Sequence, residues 1–233
     1  MRDSIEYKEG CISTIFNYVT WFVLSNIYFL VSNVLFIMYI INFGFDIIYN
    51  VSILFVISLI PMGPALTALC ASMGKIIREK DINITRYYFK SYKINFKQSL
   101  KLWCIELAIL FISYIDLKVA ANGNVLSNFS IIFIIICIFT VALGTIAFPI
   151  VSRFDLDLID VLKIAFLYSI KKIQVTVINT IIILVGLYLI YIIPGILFLC
   201  LSSIICFVIM INNKYILSEI EKEMLSNNDN DLM

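Results

Sequence analysis

Apolar residues fall in long blocks separated by short polar stretches: about 19–41, 51–72, 100–119, 129–151 and 175–211. A helix crossing the ~30 Å hydrocarbon core of a bilayer needs about 20 apolar residues, and the first four blocks have that length. The last block is 37 residues long. As one helix it would reach ~55 Å, well beyond the need. Pro194-Gly195 interrupts it, so two spans, 175–193 and 196–212, fit better; a kinked re-entrant pair is the alternative. The pattern predicts an all-α polytopic membrane helical bundle of about six transmembrane helices. A single domain covers 1–212, and a polar, fraying tail covers 213–233. The first block exceeds the ~7–15-residue apolar region of a signal peptide. No small-x-small cleavage pattern follows it, so it reads as a retained span.

The polar stretches predict finer features. Two of them, before the third span and after the fourth, have the composition of cytoplasmic loops with short amphipathic helices. In the first, Asn83 or Thr85 caps a helix, and Tyr87, Tyr88, Phe89 and Tyr92 interleave with basic residues as in a helix at headgroup level. Asn95 to Gln98 reads as a capping box opening the third span. In the second, Asp157 and Asp160 open a helix. Leu158, Val161, Leu162, Ala165 and Phe166 share one face of it, with Lys171 and Lys172 at its end. Pro61, Gly63 and Pro64 predict a bent or broken second span, and Gly144 and Pro149 fall late in the fourth. Segments 51–119 and 129–193 share a span–loop–span plan, a thin hint of internal duplication.

Composition supports the membrane reading. Hydrophobic residues are 62% of 233 and charged ones 14%, against roughly a quarter charged in soluble domains. Eight Lys and Arg crowd residues 75–101. With six spans and both termini cytoplasmic, 16 of the 17 Lys and Arg lie on the cytoplasmic side, Lys118 being the other. Five spans would move Lys214 and Lys222 outside. The expected location is the cell membrane, and the expected partner a bilayer with an anionic inner leaflet. A net charge of +1 argues against nucleic acid. The chain has no His, which removes imidazole bases and His-ligated zinc. Its six Cys have no C-x-x-C spacing and read as small residues between helices. Asp155, Asp157 and Asp160 are the nearest acidic cluster, and two of them serve as cap or first-turn residues. No metal site and no cofactor are expected.

Candidate ligand-binding residues are Asn26, Asn33, Gly63, Pro64, Thr67 and Glu106. Glu106 is the acidic side chain deepest in an apolar block. It contacts a proton or ligand, or it reaches toward Lys101, Lys97 or a loop lysine. Ser25, Asn26, Ser32 and Asn33 repeat at a seven-residue offset, lining a polar path or gluing helices together. Thr176, Asn179 and Thr180 admit the same two readings. The Gly63-Pro64 break binds substrate on open helix ends or is a packing kink. Lys75, Arg78, Arg86, Lys90, Lys93 and Lys97 contact the inner leaflet or a partner.

Gly63-Pro64-Ala65-Leu66-Thr67-Ala68-Leu69, then Lys75, Arg78, Phe89, Tyr92-Lys93 and Asn95-Phe96-Lys97-Gln98, resemble the YesL family of small bacterial integral membrane proteins, a domain of unknown function. Asn26 and Ser152-Arg153-Phe154-Asp155 are similar to its pattern too, whereas Pro61 and the asparagine-rich tail depart from it. The resemblance implies a multi-span protein associated with carbohydrate uptake or utilisation. It supplies no catalytic residues. The expectation is therefore a non-enzymatic accessory component, with a sugar-transporter subunit as its partner. A small secondary transporter or channel-like permease using Glu106 and the Pro64 break, as a homo-oligomer, is the alternative. A membrane enzyme is the third reading and the weakest.

Overall fold

The computed structural model describes residues 2–43, 53–79, 83–121, 130–192 and 198–231. Among them the chain forms nine α-helices and no strand. They are α1 (Arg2–Ser32), α2 (Val34–Phe43), α3 (Ile53–Leu59), α4 (Met62–Arg78), α5 (Ile84–Ala121), α6 (Ser130–Arg153), α7 (Leu158–Lys171), α8 (Ile173–Ile192) and α9 (Phe198–Asp231). Three stretches are long and apolar enough to cross a membrane: Ile53–Arg78, Ser130–Arg153 and Leu201–Leu225. The number rises to five if two sharply bent pairs, α1 with α2 and α7 with α8, each count as one span. The expected third span, 100–119, does not qualify on composition, because Lys101, Glu106, Asp116 and Lys118 interrupt it.

The core is built on α4, which packs on α1, α5, α6 and α9. Its residues Ala65, Ala68, Leu69 and Met73 are fully buried. Small side chains let neighbouring backbones approach closely where lipid supplies no hydrophobic drive between helices. Gly63 is the tightest such point, since a Cβ there would collide with the Cβ of Trp103. The apolar side chains left exposed include Ile131, Ile135, Ile181, Leu184 and Leu187, as expected of surfaces meant for lipid.

Each bend has a local cause. At the α1–α2 junction, bent by 72°, the Asn33 side chain enters the helical ladder and Nδ2 donates to Phe29 O at 2.8 Å. At the α7–α8 junction, bent by 100°, Lys172 leaves helical backbone with φ −118° and ψ 49°. Of the two caps expected, Asn83 and Thr85, Asn83 serves: its Oδ1 accepts from Arg86 N at 3.2 Å, and Thr85 lies inside α5. Asp157 holds the N-cap position of α7 but makes no side-chain cap bond.

Four expectations are corrected. The interruption in the second span lies at Ile60-Pro61, between α3 and α4. Pro64 breaks nothing, because it sits in the first turn of α4, where the N–H that proline lacks has no helical partner to lose. No capping box opens the third span, since Asn95 and Gln98 lie inside the unbroken α5. No Pro or Gly occurs in that helix, so the basic segment and the span form one rod. The Asn95 side chain donates instead to Ser91 Oγ, and Gln98 Nε2 to Leu156 O. The tail does not fray after residue 212: α9 continues to Asp231 and buries Ile216, Leu217 and Ile220. Finally, Tyr88 is not on the exposed face of its helix with the basic residues; it is fully buried, its hydroxyl 3.3 Å from Ser32 Oγ. Pro194-Gly195 and residues 122–129 fall outside the described residues.

Candidate functional site

On α5, Arg86, Lys90, Lys93, Lys97 and Lys101 follow one another at intervals of four or three residues and form one exposed stripe. The buried stripe lies opposite: Ile84, Tyr88, Ser91, Ser99, Leu102 and Glu106. At ~100° per residue the two never meet. This decides the fate of Glu106. It is 7% exposed, on the face turned away from every lysine of its own helix. It makes no ion pair among the described residues, and its Oε1 has no hydrogen-bond partner there. The reach toward Lys101 or Lys97 is therefore corrected. Depth gives the same answer. Gln98 bonds Leu156, just beyond the end of α6, and Glu106 lies eight residues deeper. That is ~12 Å further along the helix.

Glu106 opens onto a cavity of about 340 Å³ between α1, α4, α5, α6, α8 and α9. The wall is apolar for the most part, with Phe29, Leu66, Leu110, Phe148 and Ile205 among its residues. Opposite the carboxyl stands Gly144 of α6; a Cβ there would come 2.8 Å from Glu106 Oε1. The glycine is thus the space the carboxyl occupies. Two thiols, Cys70 of α4 and Cys206 of α9, also line the cavity, their Sγ atoms 3.3 Å apart. They remain free, small residues between helices as expected.

Next to Gly144, Thr145 shows the opposite treatment of a polar group. Pro149 has no N–H to give to the Thr145 carbonyl four residues back. Asn213 Nδ2 of α9 supplies that hydrogen bond, at 2.8 Å. Asn213 Oδ1 in turn accepts from Asn179 Nδ2 of α8 at 3.1 Å, and Asn179 Oδ1 accepts from Asn212 Nδ2 at 2.7 Å. Thr176 and Thr180 donate to backbone carbonyls. Asn179 and the two threonines are therefore glue between and within helices, not a path.

Of the expected ligand-binding residues, Glu106 lines the cavity, whereas Asn26, Asn33, Gly63, Pro64 and Thr67 do not. Asn26 and Asn33 are buried, and Asn33 serves the α1–α2 bend. Thr67 Oγ1 donates within its own helix to Gly63 O at 3.3 Å. The carbonyl of Leu59 at the helix break is taken by Trp103 Nε1 at 2.7 Å, so that end is not open to a substrate. Among the basic residues, Arg78, Arg86, Lys90, Lys93 and Lys97 are exposed. Lys75 is held by Glu79 at 3.3 Å and lies over the Tyr87 ring. Below this face a second hollow of about 300 Å³ separates α5 from the end of α6, with Lys90, Arg153 and Asp155 on its rim. Sequence reasoning missed Gly144 as the partner of Glu106. The stripe opposite the lysines was the available signal, and reading a helix start at Asn95 cut it in two.

Residues 22–117 match the model of a family described as a protein of unknown function, DUF624. The match agrees with the resemblance drawn from Gly63 to Gln98 and from Asn26, all inside it; Ser152 to Asp155 lie beyond it. No curated protein and no solved structure matches the chain.

Proposed function

We propose that this is a six-span protein of the cell membrane, both termini cytoplasmic, that takes a small and largely apolar molecule into its bundle as a carrier. The observation behind this reading is the cavity holding a buried carboxyl oxygen without a partner. Carboxylates at such depth mark ligand or ion sites far more often than structural ones, because they are costly to place there. The site is not built for a carbohydrate. Of its polar side chains, Thr145 already donates to Ala142 O at 2.7 Å, which leaves Glu106 and Ser202; a sugar needs a hydrogen-bond partner for most of its hydroxyls.

Helix pairing supports six crossings. α5 runs antiparallel to α4 through the Lys75–Tyr87 and Gly63–Trp103 contacts, and antiparallel to α6 through Gln98–Leu156 and Glu106–Gly144. A helix antiparallel to two crossing neighbours crosses with them, whatever its charges. α8 and α9 pair antiparallel through Gly186–Ile205 and Asn179–Asn213. The placement of Lys and Arg then supports both termini inside.

A second reading has its own observation. The exposed stripe from Arg86 to Lys101 and the hollow beneath it suit anionic lipid, or the cytoplasmic side of a sugar-transporter subunit that this protein assists. Uptake into proteoliposomes separates the two. The carrier reading expects entry of small apolar tracers, reduced in Glu106→Gln, and no entry of pooled oligosaccharides. It fails if no tracer enters and the variant behaves as wild type. Co-purification with a sugar permease would then favour the accessory role, and purification alone in the presence of such a permease would refute it. A reporter fused after Met233 should read cytoplasmic.

A further inference from the structure

We infer that the cavity's ligand is a lipophilic organic cation, an amine on an apolar body, held at its charged end by Glu106. The inference rests on the reading that the cavity takes a ligand. It starts from an imbalance inside the wall. Glu106 is more than nine-tenths buried, its Oε1 lacks a partner, and no Lys or Arg is among the residues lining the cavity. A carboxylate in apolar surroundings needs a counter-charge or a proton. The protein provides no counter-charge here, and without a ligand a proton takes its place; a cationic ligand brings the charge that the wall lacks.

Three further features agree. Gly144 gives the carboxyl the room to sit against α6 at the cavity wall. The apolar remainder of the wall suits a hydrocarbon body, and about 340 Å³ lies at the small end of the ~300–1,000 Å³ range of ligand sites. Trp103 and Phe148 line the same cavity as Glu106, their rings tilted by 56° with centroids 5.9 Å apart, and aromatic faces favour a cation beside them. A neutral ligand gains the same apolar contacts and can at most donate a hydrogen bond to the carboxylate, without supplying its counter-charge. An anion would face Glu106 directly.

The test uses the full-length protein in lipid nanodiscs at pH 7, with 1-adamantylamine and 1-adamantanol as probes. These are rigid cages of one shape, one charged and one neutral. Binding is read by titration calorimetry against empty nanodiscs. The amine should bind wild type about tenfold or more tightly than the alcohol, as one charge-assisted hydrogen bond allows. Glu106→Gln should lose that preference to within about twofold, while keeping its affinity for the alcohol, the sign that it has folded. Glu106→Asp, which keeps the charge, should retain much of it. Equal binding of amine and alcohol by wild type, or an unchanged preference in Glu106→Gln, overturns the inference and leaves the carrier reading standing. Failure of both probes to bind wild type removes the carrier reading and the inference together.

Discussion

Gly144 and Thr145 are neighbours on α6, yet each attends a buried polar group handled in the opposite way. The Thr145 carbonyl loses its helical donor to Pro149 and regains one from Asn213, which is locked in turn to Asn179 and Asn212. The Glu106 carboxyl, facing Gly144, has an oxygen with no donor. Completing the hydrogen bonds of one buried group and leaving the next incomplete separates structure from function within a single turn. Asn33 Oδ1 and Ser99 Oγ are buried without a partner among the described residues too, but away from the cavity; Glu106 differs in lining it, and a carboxyl is the costlier group to leave so.

That contrast can be broken or sharpened by experiment. The largest effect is expected from Gly144→Leu. Its side chain would fill the space of the Glu106 carboxyl, abolish probe binding and cost about 1–3 kcal/mol by overpacking, read as unfolding in mixed micelles. Asn213→Leu should cost about 1–2 kcal/mol, since it orphans the Thr145 carbonyl and one end of Asn179. If the repair of Pro149 is the reason, the same substitution in a Pro149→Ala background should cost about half as much, because the backbone N–H returns. Glu106→Leu should move stability the other way or not at all, within about 1 kcal/mol, since it removes a carboxyl without a partner. A loss comparable to that of Asn213→Leu would mean that Glu106 is structural after all. Smallest of all, Lys90→Gln with Lys93→Gln should change stability by less than about 0.5 kcal/mol, while weakening the attachment of the α5 face to anionic vesicles in a flotation assay.

What was legible in the sequence follows from what is local. The apolar blocks, the Asn83 cap and the isolation of Glu106 all depend on residues within a turn or two of one another. The Pro61 break and the α5 rod were harder, because Pro64 and the Asn95–Gln98 pattern carry strong local signals that tertiary packing overrides. Trp103 takes the carbonyl at the break, and Gln98 turns to Leu156. The pairing of Pro149 with Asn213, and of Cys70 with Cys206, joins residues 64 and 136 positions apart. No periodicity encodes such pairs. Only the assembled bundle brings them together.

The unbroken α5 has a mechanical consequence. It is 38 residues long, some 57 Å at ~1.5 Å per residue, and carries a basic stripe on one part and Glu106 on another. With no hinge between them, the two cannot turn independently. A rotation of the basic stripe would therefore be carried along the same helix toward the carboxyl: the helix is a torsion bar between the basic face and the chamber.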